Sequence, residues 1–367
     1  MEYYLTDLSH QVMAARGGFR PVLIRGGGTK SFYGNPFEQS GNAPYTLDMR
    51  VLRGIVNYQP SELVVTARAG TPLQELIDTL DAADQMLAFD PPSFGPQATV
   101  GGCVASGLSG PGRQGAGSLR DFVLGAHLLD AQGRVMRFGG EVMKNVAGYD
   151  VSRLLAGSLG MFGAIVQVSL KVAPKPVRTR TIEFDLDEAA ALEFCHGLRA
   201  QPLPVSASAW EHLGGQTGRL RIRLGGASAA VDSARARLGG NSVSDDEAGR
   251  YWADLREQRL PFFGQTPLWR LAVEPGSPVL GLGPSVFEWG GTQRWIAAQG
   301  IDANSIRQAA RSAGGHATLF RPDPAQPLPS DGVFEPLAPA VSAIVRRLKQ
   351  EFDPQGLFNP GRLVAGI

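Results

Sequence analysis

Three glycine clusters with short hydroxyl and basic neighbours carry the most legible chemistry in this sequence. The first, Ile24-Arg25-Gly26-Gly27-Gly28-Thr29-Lys30, follows directly on the apolar run Pro21-Val-Leu-Ile24. With no Cβ in the way, successive N–H groups can converge there on an anion, and Arg25, Thr29 and Lys30 stand beside them. It is not a P-loop, because GxxxxGK[ST] is not met. Nor is it a Rossmann turn: Ser31 occupies the third glycine position, and Phe32-Tyr-Gly-Asn-Pro36 cannot start a helix. The second cluster, Asp90–Gly112, is rich in small residues at Ala98, Thr99, Gly101, Gly102, Ala105, Ser106 and Gly107, a main-chain surface suited to a planar ring and a pyrophosphate. The third, Gly157-Ser158-Leu159-Gly160-Met-Phe-Gly163, leads into Ile165–Val172. A fourth, Gly110-Pro-Gly-Arg-Gln-Gly115, spells GxGxxG. No strand precedes it, and Pro111, Gly115 and Gly117 suit a loop, so it does not read as a dinucleotide fingerprint.

The bulk composition agrees with a binding site built from main chain. Glycine accounts for 47 of 367 residues, and about a third of them fall between 93 and 163. There is no three-residue glycine period, and 43% of the residues are apolar, which excludes collagen-like and disordered chains. A net charge of +1 gives no case for nucleic acid. No window holds ~18 uninterrupted apolar residues, so no transmembrane segment is expected. The amino terminus has no apolar signal core, and the expected location is cytoplasmic. Cys103 and Cys195 are too far apart in sequence for a zinc knuckle, a CxxC pair or an iron–sulfur ligand set, and read as free thiols. None of the five histidines has another within five residues, so no metal site is expected.

The elements that must position these loops follow from periodicity. Strands are expected at 21–24, 63–67, 122–129, 135–138 and 165–172, with Ala131-Gln-Gly133 as a hairpin turn. A helix begins near Thr71-Pro72, with Thr71 as its cap and Leu73, Leu76, Ile77 and Leu80 on one face. Pro174 and Pro176 mark a boundary, after which strands and helices mix in an α+β layer. Arg321–Pro329 reads as a proline-rich linker, and a last helix spans about 339–352.

The ordered set of motifs resembles a known family. It comprises GGGT after a strand, PPSFGPQATVGG-x-x-ASG, Lys144-Asn-Val-Ala-Gly-Tyr-Asp150, the GSLGMFG stretch, Leu260-Pro-Phe-Phe263, Leu268-Trp-Arg270, Trp289-Gly-Gly291, Arg294-Trp295, Ala313–Thr318 and Asn359-Pro-Gly-Arg362. It is similar to the PCMH-type FAD-binding family, that of vanillyl-alcohol oxidase and D-lactate dehydrogenase. Within it the whole length resembles the FAD-binding E subunits of bacterial glycolate oxidase (glycolate dehydrogenase). The resemblance implies an α+β fold: a two-lobed PCMH-type FAD-binding domain (1–175), a smaller α+β cap domain (176–320), and a carboxy-terminal segment (321–367) returning to the FAD domain. It implies non-covalent FAD held by Arg25, Gly26, Gly27, Gly28 and Thr29. A second group would be Pro92, Gly95, Thr99, Gly101, Gly102, Ala105, Ser106 and Gly107, and a third Gly157, Ser158, Gly160, Gly163 and Ile165.

It further implies oxidation of a small 2-hydroxy acid, glycolate with D-lactate beside it. That chemistry needs a cation for the carboxylate, with Arg270 favoured over Arg294 and Arg321, and a base for the hydroxyl proton, for which His316 is the candidate. Two cysteines cannot hold an iron–sulfur cluster, so electrons are expected to pass to partners. Those are a second flavin subunit and an iron–sulfur subunit, through which any membrane association would arise. The sequence departs from the catalytic D-2-hydroxyacid dehydrogenases at Leu159, where they carry an acid, and lacks their histidine-rich metal motif. A non-catalytic FAD relay or assembly subunit is therefore one alternative, and a stand-alone D-2-hydroxyacid dehydrogenase another.

Overall fold

The computed structural model describes residues 2–37, 43–140, 150–214 and 217–367, so positions 144–149 of the Lys144–Asp150 motif lie outside the described residues. The chain forms two units. The first takes Met1–Leu108, Ser118–Pro174 and Pro336–Ile367, and the second takes Ser109–Gly117 and Lys175–Glu335.

In the first unit, β1 (Val22–Arg25) lies parallel to β2 (Tyr45–Asp48), Arg25 opposite Asp48. The main sheet is antiparallel. Its strands are β3 (Ile55–Gln59), β4 (Val64–Arg68), β6 (Val123–Leu129), β7 (Val135–Gly139) and β8 (Ala164–Lys171), in the order β3-β4-β8-β6-β7, while β5 (Gln85–Met86) pairs with β9 (Ala173–Pro174). β8 sits at the centre and is mostly buried, which explains its nearly continuous apolar run. The helices Leu73–Asp81 and Val100–Ser106 pack Leu73, Leu76, Leu80, Val100 and Val104 into one core with Val65, Ala126 and Val168. A second core joins Leu8 and Val12 of the helix Glu2–Gly17 to Val22, Leu47 and Phe358. Thr71 does not cap the helix after it. Its hydroxyl accepts from Gly54 N (2.9 Å) and donates to Gly54 O (3.1 Å), and the helix starts at Leu73, whose N–H donates to Ala98 O (2.8 Å).

The last helix, Pro339–Phe352, ends on a buried ion pair. Lys349 Nζ donates to Asp353 Oδ2 (2.7 Å), Met161 O (2.6 Å) and Phe358 O (2.9 Å). Asp353, 1% exposed, also accepts from the backbone N–H groups of Leu357 and Phe358. Burial pushes the Lys349 ammonium below its usual range, and the Asp353 carboxylate pulls it back up.

The second unit is an eight-stranded antiparallel sheet. β10 (Arg178–Leu186), β11 (Val205–Gly214), β12 (Thr217–Gly226), β13 (Asn241–Val243), β14 (Leu268–Ala272), β15 (Ser285–Glu288), β16 (Gln293–Ala297) and β17 (His316–Arg321) run in the order β13-β10-β12-β11-β15-β16-β14-β17. Period-two alternation divides its faces. Ile182, Ile222, Trp210 and Phe287 pack under the helices Glu188–Leu198 and Ser228–Leu238, and Leu271, Ile296 and Ala317 under Ala303–Ser312. The other face carries Glu183, Arg221, Glu288, Gln293, Arg270 and His316, which the pairing registers place on alternate positions from the apolar set.

Two segments depart from the expected boundaries. Residues 109–117 belong here because the Ser208 hydroxyl donates to Gln114 Oε1 (2.6 Å) and Trp289 Nε1 to Gly110 O (3.1 Å). The stretch read as a linker beyond 321 is tied down as far as Glu335. Arg307, 1% exposed, donates to Asp331 and to the carbonyls of Gly332 (2.7 Å) and Phe334 (3.0 Å), and Val333 enters the core.

Removing one partner of a buried pair strands the other charge, at a cost of about 3–5 kcal/mol. Lys349→Met is therefore expected to lower unfolding free energy by that order in a urea titration followed by circular dichroism. A loss below about 1 kcal/mol, the scale of an exposed pair, would contradict the role given to this lysine.

Candidate functional site

The first unit contains a cavity of about 410 Å³ where the first, second and third glycine clusters and the carboxy-terminal segment meet. Its lining includes Arg25, Gly26, Gly27, Gly28 and Thr29 from the first loop, Thr99, Gly101, Gly102, Ala105 and Ser106 from the second, and Gly160, Gly163 and Ile165 from the third. The volume falls in the roughly 300–1,000 Å³ range of cofactor and ligand pockets. Leu23, Ile24, Met49, Ala69 and Leu159 add apolar wall, and Lys30, Ser31, Asn359 and Arg362 add polar groups.

β1 delivers the first loop, and the carboxy-terminal segment braces it. Ile24 N donates to Asn359 Oδ1 (2.9 Å), Asn359 Nδ2 donates to Leu159 O (2.7 Å), and Asn359 N donates to Val22 O (3.0 Å). One asparagine side chain thus links the first and third loops. Arg362 clamps the residues after the first loop, donating to the carbonyls of Tyr33 (2.7 Å), Ser31 (3.1 Å) and Asn35, and burial pulls its guanidinium below the usual range. Thr29 Oγ1 (2.7 Å) and Lys30 Nζ (3.1 Å) both donate to Ser93 O and join the first loop to the second. After these contacts are made, the N–H groups of Gly27, Gly28 and Thr29 have no acceptor among the described residues. Three consecutive free donors, with Arg25 and Lys30 adjacent, make a cradle for a di-anion such as a pyrophosphate.

The glycines serve the protein as much as a ligand. A Cβ on Gly27 would lie 1.5 Å from Gln97 O, and one on Gly160, at φ +76°, would lie 2.7 Å from Asn359 Nδ2. Gly102 differs: its Cβ would meet only Thr99 Oγ1, at 3.1 Å. Five residues expected in the site are absent from the lining. Pro92 is buried, and Gly95 lies against the Thr29 side chain. Gly107 and Gly157 cross back to back, so that a Cβ on Gly107 would lie 2.8 Å from Gly157 Cα, and the Ser158 hydroxyl donates to Leu155 O (2.9 Å). They hold the second and third loops together. Sequence reasoning gave Asn359 and Arg362 no place in the site, although Asn-Pro-Gly-Arg is a conspicuous turn. The resemblance returns their segment to the FAD domain, but which loops they touch is a tertiary contact that residue type does not disclose.

Arg270 and His316 lie in the second unit, on one face of neighbouring strands β14 and β17, where Arg270 pairs with Thr318 and Ala272 with His316. Arg270 Nε donates to Gln293 Oε1 (2.7 Å), and its guanidinium lies 5.6 Å from the Trp289 ring centre and 5.9 Å from that of Trp295. His316 opens its strand at an exposed position. Partial desolvation and the Arg270 charge hold its imidazole below the usual range, and Glu335 pulls the other way. Arg294 is not available to a substrate: it is 1% exposed, and it donates to the carbonyls of Gly291 (2.6 Å), Ser277 (2.7 Å) and Pro278 (3.0 Å). Arg321 donates to Phe263 O at 3.3 Å. The GxGxxG stretch contributes the short helix Arg113–Ala116 to the second unit and lines no part of the cavity.

Fold and cavity together define an FAD-binding protein, and the family model described as FAD binding domain matches residues 6–139. The chain is 43% identical over 366 residues to glycolate oxidase subunit GlcE of Escherichia coli (strain K12), covering 99% of this chain and 98% of that one. It belongs to the glycolate oxidase subunit GlcE family. Glycolate oxidase subunit GlcD of Bacillus subtilis (strain 168) is 29% identical over 188 residues, 51% of this chain and 39% of that one. Among solved structures, alkyldihydroxyacetonephosphate synthase superposes with a TM-score of 0.68 over 96% of this chain and 74% of that one at 16% identity, which shows a shared fold.

Gly102→Ala and Gly27→Ala separate pocket from scaffold. A methyl on Gly102 fills open cradle, and one misplaced methyl in a pocket costs about 1–3 kcal/mol, so FAD retention should fall about tenfold or more with the melting temperature little changed. Gly27→Ala must displace the Gln97 backbone and should lower both. Flavin content after gel filtration and thermal melting distinguish them.

Proposed function

We propose that this chain is the FAD-holding subunit of an assembly that oxidises glycolate, and D-lactate beside it, to the 2-oxo acid. The observation that carries the proposal is the cavity: free N–H groups of Gly27–Thr29 between cationic side chains suit a pyrophosphate, and an apolar wall at Ile24, Met49 and Ile165 suits a flat ring. When bound, FAD supplies a two-electron acceptor for hydride chemistry. Residues 25–29 would hold its pyrophosphate, Thr99, Gly101, Gly102, Ala105 and Ser106 its pyrophosphate and isoalloxazine, and Gly160, Gly163 and Ile165 its adenine half. Attachment would be non-covalent, since no lining residue is histidine or cysteine and burial pushes the Cys103 thiol up to about 11.

In the second unit, Arg270 would bind the substrate carboxylate through its terminal amino groups, and the neutral His316 imidazole would accept the hydroxyl proton. Both known thiols, Cys103 and Cys195, are buried, short of the thiolate set an iron–sulfur cluster takes. Reducing equivalents would therefore leave for partner subunits, a second flavin subunit and an iron–sulfur subunit. Among the described residues no helix is long and apolar enough to cross a membrane, which fits a cytoplasmic chain that reaches a membrane through such partners. A second reading, a relay subunit without its own catalysis, is favoured by Leu159, an apolar side chain on the cavity wall where catalytic relatives carry an acid.

Two measurements test this. Purified protein should show bound-flavin absorbance, and a colourless protein that cannot be loaded with FAD would exclude the proposal. In the assembled complex, His316→Gln should lower kcat with glycolate by about 10²-fold or more, the usual worth of a general base. Because the folded-state pKa of His316 lies below the ~6.5 of a free imidazole, the base is neutral at pH 7, and the acidic limb of kcat/KM should fall below that value. Full activity in His316→Gln would favour the relay reading.

A further inference from the structure

We propose that Glu288, Gln293 and Trp295 are positioning residues that commit the Arg270 guanidinium to a carboxylate ligand. The inference rests on the reading of Arg270 given above. Arg270, Trp295, Gln293 and Glu288 occupy one face of three adjacent strands: Arg270 pairs with Trp295 across β14 and β16, and Gln293 pairs with Glu288 across β16 and β15. Glu288 is 3% exposed, and its Oε1 accepts from both Gln293 Nε2 (2.9 Å) and Trp295 Nε1 (2.7 Å).

The Trp295 indole and the Arg270 guanidinium only donate, so Glu288 Oε1 serves as the acceptor, and Gln293 must turn its NH₂ toward Glu288 and its carbonyl oxygen toward Arg270. That oxygen takes Arg270 Nε at 2.7 Å. The same carboxylate fixes the Trp295 indole, one of the two rings flanking the guanidinium. Arg270 is thus held at its Nε, with two indole rings 5.6 and 5.9 Å from its guanidinium carbon, and its Nη1 and Nη2 groups have no hydrogen-bond partner among the described residues. Two parallel N–H donors left open on a rigid guanidinium match the two oxygens of a carboxylate. A reversed Gln293 amide would offer Arg270 an NH₂ and release it.

The test is direct binding of oxalate, a two-carbon carboxylate that this chemistry cannot oxidise, to the flavin-loaded full chain. Quenching of tryptophan emission reports it, since Trp289 and Trp295 flank Arg270. Arg270→Ala should abolish the titration. Gln293→Met, close in volume, and Glu288→Gln, which removes the constraint on the amide, should each weaken binding about tenfold, the scale of one hydrogen bond to a charged group. In the assembled complex both should raise KM for glycolate by the same factor, with kcat within about threefold. If Gln293→Met does not fold, judged by melting and flavin content, Glu288→Gln alone decides. Oxalate affinity within twofold of the parent in the folded variants, with Arg270→Ala still inactive in binding, would overturn the positioning role and leave the Arg270 reading standing. Unchanged binding in Arg270→Ala would overturn both.

Discussion

Lys349 is a buried ammonium surrounded by a carboxylate and two carbonyl oxygens, and the geometry of the cofactor cavity follows from where it sits. Two of its partners, Asp353 and Phe358, belong to the carboxy-terminal turn, and the third, Met161 O, belongs to the third glycine loop. A lysine in a desolvated site must either lose its proton or collect acceptors. Collecting them fixes the turn, and the turn sets Asn359 and Arg362 beside β1. From there Asn359 bridges Ile24 to Leu159, and Arg362 gathers the carbonyls after the first loop. The free N–H row at 27–29 is therefore shaped from more than three hundred residues downstream.

How much of this the sequence disclosed depends on the range of the interaction. Local patterns were readable: the β-rich apolar runs at Val123–Leu129 and Ala164–Lys171, the last helix, and the concentration of glycine at three loops. The purpose of the glycines was read only in part. Gly27, Gly107 and Gly160 are needed where protein backbone or side chains press on them, a fact of tertiary structure that composition cannot separate from ligand approach. The helix Val100–Ser106 also escaped notice. Its VGGCVAS sequence has poor intrinsic propensity, and burial of Val100, Cys103 and Val104 against the sheet makes it helical. Thr71 had the form of a helix cap, yet Gly54 offered it a donor and an acceptor together.

In the second unit the same division holds. Arg270 and His316 were candidates through the chemistry that the family resemblance implies, and the sheet register places them on one face. Glu288 and Gln293 did not stand out, because a single acid ending SVFE and a single amide opening QRWIA look like ordinary strand termini. Only the pairing of β15 with β16 shows that they meet. Arg294, by contrast, looked available and is fully occupied by three carbonyls, which shows why residue type alone could not rank the arginines.

The first unit is discontinuous in the chain: its strands come early, and its final brace, Pro336–Ile367, comes last. On a ribosome, β1 and the glycine loops emerge long before Lys349, Asn359 and Arg362 exist. Domains synthesised early normally fold first, but here the early sheet must wait, with an unbraced loop, until the whole second unit has been made. Cofactor loading is thereby deferred to the completed polypeptide, and a ribosome that stalls late releases a chain with most of its core and no holder for its flavin.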